Sequence, residues 1–533
     1  MWNNGEAYMS EADNINTKIF KRNIYGCCVA FLFFMLAHAY GILNFPIAHD
    51  SMSEYYLFGN VDYAGIPDYI LKIRAGRFIE VLYKALLGGK FALPWLSGML
   101  SMLWICGFTV LILNLFEIDD LVDITISAGL LVTNITVTAT LATYMHDADT
   151  NFLGLLFAGL AAFLWSKKQK GYLLGIPFVI LCLGCYQSYF CVIITLIMFK
   201  CILALMRGCK TKHVFISGTK GIVMLVAGGL LYLALYRITV KIFGTTIGGN
   251  FGTLGHATTM PFIKRLIRTY DKWGTMTFGP ISVYPHRVIQ GICLLIAAAG
   301  MLAGIAYLCS RKYRISGKAL TLGLVLLLPL GMNATYFLCP PGVTDLSMYA
   351  YWLFYLLVFI MIRQMEKPCL DRRKSFSIFK RVAFLLISVL IWSNIQTSNA
   401  AYTLREMQNM ATLSTMTRVF DQIEKTDGYT EGETEICLIG APELDVPEGF
   451  ERVSDLSGIS FGGPLSIDIR IKSYASYYLG KDIKMMEIED RRKLFENKYV
   501  EMMPVFPQEG SVQMIDHAIV VKLREIDDPT VGK

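Results

Sequence analysis

Three acids in this chain fall where a carboxylate is costly. Asp50 follows the first long apolar run, in Ala48-His49-Asp50-Ser51, and Asp147 and Asp149 follow the third, in Tyr144-Met-His-Asp-Ala-Asp-Thr-Asn151. Acids in or beside a membrane are functional candidates by default. A carboxyl held at the membrane boundary is pushed toward its neutral form and can work as a general base near neutral pH, which is the chemistry open to Asp50. Two carboxylates two residues apart, with His146 beside them, suit a divalent cation such as Mg²⁺ or Mn²⁺, or can position sugar hydroxyls. The plainer readings are a solvated loop acid at Asp50 and, at Asp147, a capped turn in which Asp149 or Thr150 starts the next helix. His49 and Glu54 flank Asp50 and are grouped with it as substrate contacts.

Cations and polar groups accompany these acids. Arg74 and Arg77 lie on the same side, and arginine forks match phosphate oxygens bidentately. Lys264, Arg265 and Arg268 repeat the pattern further on. There, snorkelling toward head groups is the simpler explanation. Gln187, in Tyr186-Gln187-Ser188-Tyr189, can hydrogen-bond a substrate hydroxyl or belong to a polar turn within an aromatic belt. Asp345 ends a proline-rich turn, Cys339-Pro-Pro-Gly-Val-Thr-Asp345, and is a weaker candidate.

The elements that must position these residues are membrane spans. The chain has 533 residues, 54% hydrophobic and 17% charged, with mean hydropathy +0.47. That composition is outside the soluble globular range. Apolar runs near 24–43, 93–115, 121–142, 151–166, 171–187, 189–206, 218–240, 288–309, 317–337, 346–362 and 380–398 make about eleven candidate spans. The polar stretch before Lys18, Lys21 and Arg22 leads into a full-length span rather than a cleavable leader. Basic residues recur in alternate loops, at Lys167, Lys168 and Lys170, at Arg207, Lys210 and Lys212, at Arg311, Lys312, Arg314 and Lys318, and from Arg363 to Lys374. The positive-inside rule then places the N-terminus in the cytoplasm and the C-terminal part outside. The same rule puts Asp50, Asp147 and Asp149 on the non-cytoplasmic face. The net charge of +7 sits in these loops and speaks for orientation, not for nucleic-acid binding.

The expected organisation is a cytoplasmic segment at 1–23, a membrane domain at 24–399 with external loops at 44–92 and 241–287, and an extracytoplasmic domain at 400–533. The first loop holds an amphipathic stretch, Arg74 to Leu87, in which Ala75, Phe78, Ile79, Leu82 and Leu86 share one face and Arg77, Glu80 and Lys84 another. This predicts a helix lying in the membrane interface. The second loop begins with Gly244, Gly248, Gly249, Gly252 and Gly255 and continues into a helix started by Pro261. In the tail, Leu404, Met407, Met410, Leu413, Phe420 and Ile423 recur at helical spacing, and Glu435–Gly440 and His517–Leu523 read as strands, so a small α/β domain is expected. Cys182 and Cys185 form a CxxC inside an apolar run and read as packing.

The segments around Asp50, Gly76-Arg77-Phe78, His146-Asp147-Ala148-Asp149 and Tyr186-Gln187 resemble those of membrane glucosyltransferases of the O-antigen-modifying, serotype-converting type. More broadly the chain is similar to the C-type superfamily of polyprenyl-phosphate-sugar glycosyltransferases, over about residues 20–400. The resemblance implies a C-type polytopic helical fold in the plasma (inner) membrane. It also implies a hexosyltransferase that moves a sugar, glucose in this subgroup, from a polyprenyl-phosphate carrier to a surface glycan at the external face. Asp50 would then be the base, Asp147 and Asp149 would bind acceptor, sugar or a metal, and Arg77 would neutralise the departing lipid phosphate. Some members of the superfamily need a metal and others do not. The rival readings are a transporter or flippase of lipid-linked sugars, which would carry helix breaks or charges near the bilayer midplane, a non-catalytic scaffold displaying the tail, and a polysaccharide polymerase.

Overall fold

The computed structural model describes residues 3–44, 66–87, 93–167, 170–248, 260–278, 287–310, 313–338, 344–365, 373–440, 446–459, 468–495 and 497–525. His49, Asp50 and Glu54 lie outside the described residues, as do Gly249, Gly252, Gly255 and the 339–343 stretch.

Each expected apolar run falls on one helix or on two consecutive helices. Among the described residues nine helices are long and apolar enough to cross a membrane, and two shorter apolar helices, Gly171–Cys185 and Tyr349–Gln364, account for the other runs. We number the elements that frame the site. They are α1 (Asn3–Asn44), α2 (Asp68–Arg74), α3 (Phe78–Leu86), α4 (Pro94–Phe116), α5 (Leu121–Thr133), α6 (Ile135–Tyr144), α7 (Ala148–Lys167), α8 (Gly171–Cys185), α9 (Phe190–Met206) and α10 (Thr211–Ile242). Further on lie α11 (Phe262–Phe278), α12 (Arg287–Cys309), α13 (Ile315–Met332), α14 (Ala334–Leu338), α15 (Tyr349–Met365) and α16 (Arg373–Lys425).

The third run, expected as one span, is broken. Asn134 takes an extended ψ of 154° and separates α5 from α6. A break inside an apolar core is tolerated only if the freed carbonyls find partners. Here the Asn134 amide donates to Leu131 O at 2.9 Å, the Tyr349 hydroxyl donates to the same oxygen at 2.7 Å, and His38 Nε2 lies 3.1 Å from Val132 O. Thr136, Thr138 and Thr140, which follow, are buried too, and they spend their hydroxyls on carbonyls or on neighbours, as Thr138 does with Ser398 at 2.6 Å.

α5 starts at Asp120, whose side chain accepts from the Val122 and Asp123 N–H groups at 3.1 and 3.2 Å. The acidic loop before it is neutralised by basic neighbours. Glu117 pairs with Lys200 at 3.1 Å and Arg207 at 2.8 Å, Asp119 with Arg22, and Asp123 with Arg363. Burial pushes the Glu117 carboxyl up, but Lys200 and Arg207 outweigh it and hold it below its usual value. These pairs gather at the opposite end of the helices from Asp147.

The amphipathic stretch at 74–87 is a turn and a helix: Arg74 ends α2, residues 75–77 turn, and α3 carries Phe78–Leu86. Its faces are partly inverted relative to a soluble protein, although Phe78 and Ile79 pack against Tyr232 and Gly184. Glu80 is buried, while Leu82 and Leu86 point outward. An interfacial helix does this when its apolar face meets lipid and its polar face meets the protein. Pro261 directly precedes α11, on which Phe262, Ile263 and Ile267 are exposed.

The expected boundary at residue 400 falls inside α16, which runs unbroken from Arg373 to Lys425. Leu404, Phe420 and Ile423 are buried as their spacing suggested, but Met407 and Met410 are exposed. Beyond it lies a four-stranded sheet of β1 (Glu435–Ile439), β2 (Lys484–Met485), β3 (Val512–Ile515) and β4 (Ala518–Lys522), in the order β2-β1-β4-β3. β1 is parallel to β2 and β4, and β3 is antiparallel to β4. β1 and β4 match the two expected strands. Cys182 and Cys185 are free and buried in α8.

Candidate active site

The site is built on the turn between α2 and α3. The Arg77 N–H donates to Lys72 O at 2.8 Å and the Gly76 N–H to Ile73 O at 2.9 Å, with Gly76 at φ 80°. This is a Schellman closure, whose left-handed residue glycine supplies without steric cost. The exposed carbonyls of the turn are held from the bundle. Tyr236 donates to Arg74 O at 2.5 Å, Gln187 Nε2 to Ala75 O at 2.7 Å and Tyr232 to Gly76 O at 3.0 Å. Gly248, from the glycine-rich stretch after α10, donates its N–H to Arg74 O at 3.0 Å. The turn therefore cannot slide relative to α8, α9 and α10, and Lys72 on one side of it and Arg77 on the other are fixed together.

On this frame sits a buried charge cluster. Lys72 Nζ lies 2.9 Å from Glu80 and 3.5 Å from Asp68, and it bonds Asp147 Oδ2. Lys84 bonds the other oxygen of Asp147 and lies 3.9 Å from Glu80. His146 Nε2 is 3.4 Å from Asp147. Lys72, Glu80 and Asp147 are 5%, 0% and 1% exposed. Burial pushes the Glu80 carboxyl up, but the fields of Lys72, Lys84 and Arg77 outweigh it and hold Glu80 below its usual value. Burial, reinforced by Lys72, lowers the Lys84 ammonium, against the pull of Glu80 and Asp149.

Taking such ions out of water costs several kcal/mol each, and hydrophobic side chains of similar volume often serve stability as well or better. A cluster of this cost, at the mouth of a helix bundle, points to a site. Asp149 adds to it. It is buried in the first turn of α7, one of its carboxylate oxygens has no protein hydrogen-bond partner, and the Tyr83 hydroxyl and Lys84 both lie close enough to act on it. Burial, with Asp149 adding to it, pushes the Tyr83 phenol well above its usual value, so Tyr83 stays protonated.

The residues singled out in sequence are distributed as follows. Asp147, Asp149, His146 and the Arg77 turn come together. Asp147 is not a side-chain cap. Its backbone oxygen accepts from Thr150 and Asn151 N–H groups at 3.1 Å each, while its carboxylate goes to the two lysines. The Arg77 guanidinium carbon sits 5.1 Å from the centre of the Tyr186 ring. Arg74 turns toward Thr246, at 3.1 Å, and Gln187 also donates to Tyr232 at 3.2 Å, so the Gln187 amide nitrogen is engaged in holding the turn. Arg265 stacks over Phe337 at 5.1 Å, outside this cluster. Asp345 is buried against Ser457, whose N–H it accepts at 2.8 Å.

The donor set does not suit Mg²⁺ or Mn²⁺. Both oxygens of Asp147 face ammonium groups, which occupy the positions where a cation would bind, and among the described residues no group of three or more His, Cys, Asp or Glu side chains could hold a metal. As placed, these residues do not fit a divalent cation.

Asp68, Lys72, Glu80 and Lys84 were not anticipated as site residues. The available signal was the pair of i,i+4 acid–lysine spacings, Asp68–Lys72 and Glu80–Lys84, on either side of a glycine. On a soluble helix such spacing marks a solvated face.

Neither the curated proteins nor the solved structures contain a match to this chain. A family described as glucosyl transferase GtrII matches residues 39–363, from within α1 to near the end of α15. That span covers more than half of the chain and holds every member of the charge cluster. The chain belongs to the GtrII glucosyl transferase family, and membership implies glucosyltransferase activity.

Proposed function

We propose that this protein transfers glucose from a polyprenyl-phosphate carrier to a cell-surface glycan, at the non-cytoplasmic face of the plasma (inner) membrane. The observation that carries the reading is the buried cluster of acids and lysines at one end of membrane-length helices in a chain of a glucosyltransferase family. The positive-inside pattern of the loops supports an external site, with the N-terminus in the cytoplasm and the tail outside.

In the proposed reaction an acceptor hydroxyl attacks the anomeric carbon of the lipid-linked glucose. The new C–O bond forms as the bond to phosphate breaks, and the electron pair leaves on the phosphate oxygen. The hydroxyl proton passes to a carboxylate. Asp50 is the proposed base. Asp149, with an oxygen free of protein hydrogen-bond partners, takes a hydroxyl of acceptor or sugar. Lys72 and Lys84 hold Asp147 and keep its charge in place. Arg77, fixed by the turn and by Tyr186, neutralises charge growing on the departing phosphate, where a preorganised cation lowers the barrier most.

A transporter is the second reading, because a central helix is broken at Asn134 as transporter helices are. The carbonyls at this break are bonded to Asn134, Tyr349 and His38, which leaves less there for a cargo to use.

The test is transfer in isolated membranes from radiolabelled polyprenyl-phosphate-glucose to native surface glycan, comparing wild type with Asp50→Asn, Asp147→Asn and Asp149→Asn at matched amounts. Removing a general base costs about 10²–10⁴-fold. Loss of that size at Asp50 or Asp149 supports the assignment. Full labelling by all three variants overturns the site, and no labelling by wild type overturns the donor or acceptor.

A further inference from the structure

Besides α16, a short segment of the tail is packed into the membrane bundle. Residues 450–459 lie between β1 and β2 in sequence, yet Val453, Leu456 and Ile459 pack in the core of the helix bundle rather than with the sheet. Polar contacts lock this strap. Asp345 accepts the Ser457 N–H at 2.8 Å, and the Thr136 hydroxyl on α6 donates to the Asp345 carbonyl at 2.7 Å. Arg405, a fully buried residue of α16, donates its guanidinium to the Gly458 carbonyl.

The strap rests on the end of α6. Gly458 has φ +83°, and a Cβ at that position would lie 2.7 Å from the carbonyl carbon of Ala142 and 2.8 Å from the amide nitrogen of Thr143. Those are backbone atoms and cannot swing aside, so the contact requires glycine twice over, for its conformation and for its bulk. Thr143 is in the last turn of α6. The next residue, Tyr144, accepts the Asp147 N–H at 2.9 Å. The turn that delivers Asp147 to Lys72 and Lys84 is thus seated on a segment that comes from beyond residue 400.

We propose that residues 450–459 position the transfer site, with Gly458, Arg405 and Asp345 as positioning residues that hold the end of α6 so that Asp147 and Asp149 meet the α2–α3 turn. The inference rests on the reading of the charge cluster as the transfer site. It gives the tail a part in building that site, separate from any docking of acceptor.

The experiment uses the full chain in membranes with single reporter cysteines. Leu456→Cys reports the strap and Ala148→Cys reports the site, since both parent residues are buried. Alkylation by a maleimide is compared with and without Gly458→Ala, against the chain lacking the reporter. Both reporters should become reactive together. For the transferring enzyme, kcat should fall about tenfold to a hundredfold, the loss expected when reacting groups are displaced by an ångström or less. KM for the lipid-linked glucose should change less than about twofold, because uniform binding is not what is lost. A reactive Leu456→Cys beside a protected Ala148→Cys would overturn the proposal, and so would unchanged kcat with the strap displaced. Should Gly458→Ala fail to accumulate, Asp345→Asn and Arg405→Lys each weaken one contact and leave the backbone approach intact, and the same reporters decide. A wild-type chain that transfers no glucose would count against the proposed function alone, because the labelling pattern is read without turnover.

Discussion

Lys72 and Glu80 face each other at 2.9 Å, both buried, on opposite sides of the left-handed turn at Gly76. The contact closes α2 onto α3 and lets one ammonium serve Glu80 and Asp147 together. Removing one partner leaves the other with only part of its buried charge compensated, a cost of up to about 3–5 kcal/mol. Lys72→Met and Glu80→Gln are each expected to lower the unfolding free energy of the detergent-solubilised protein by that order. In the double variant the losses should fall short of their sum by about 1–3 kcal/mol. Strictly additive losses in denaturation curves would mean the two groups act independently.

Acid should act on the same contact with a definite sign. Glu80 is held below its ordinary value of 4.5 because the three cations outweigh its burial. On acidification the unfolded chain therefore takes up this proton first. The stability that Glu80 contributes is fully present above its ordinary value and is lost as pH falls through the folded one. Thermal midpoints measured from neutral pH downward should fall below pH 4.5, and Glu80→Gln should flatten that limb. A limb of the same depth in the variant would assign the acid sensitivity to other groups.

Much of this architecture was legible because hydropathy reads directly as span length. The apolar runs, β1 and β4 all lie where their patterns put them. Asp147, Asp149, His146 and Arg77 were legible as costly charges near a bilayer. Lys72, Glu80 and Lys84 were not, because the helical wheel gives two faces without saying which one meets protein. In water the apolar face goes inward. At a membrane interface Leu82 and Leu86 can face lipid, and the charged face becomes the buried one. The continuity of α16 was hidden for a related reason. Hydropathy drops near residue 400 where the chain leaves the apolar region, but the helix does not end there. The break at Asn134 left no such trace, since a helix of threonines and aliphatics scores as one span whether or not it is interrupted.

Arg77 provides a test of phosphate stabilisation. Its guanidinium lies 5.1 Å from the Tyr186 ring centre. Burial pushes the Tyr186 phenol up, against the opposing pull of Arg77, so the ring is neutral and the contact is a cation over a π face. Lysine keeps the charge but loses both the planar fork and the stacking. Arg77→Lys should therefore lower kcat by about tenfold or more with a smaller change in KM, and Arg77→Gln should lower it further, by about 10²–10³-fold. The measurement is steady-state transfer at varied donor concentration. Equal activity of Arg77→Lys and wild type would remove Arg77 from the chemistry.

Gly76 separates the conformation of the turn from its place in the site. Its φ of 80° costs an alanine about 1–2 kcal/mol, so Gly76→Ala should destabilise by about that amount. Gly480 is the control for the backbone conformation alone, with φ +65° and nothing near enough for a Cβ to touch. The backbone part of the cost should be similar in the two, and Gly76→Ala should cost at least as much in total, because Gly76 is buried and Gly480 is exposed. Only Gly76→Ala should lower kcat. Relaxing that strain rotates Lys72 and Arg77 relative to one another, and with them the acid and phosphate ends of the site. Transfer assays and thermal denaturation on the same preparations read both quantities. If both variants lose stability and both keep wild-type kcat, the Schellman turn is a structural closure alone, and the alignment of Lys72 with Arg77 has no part in the reaction.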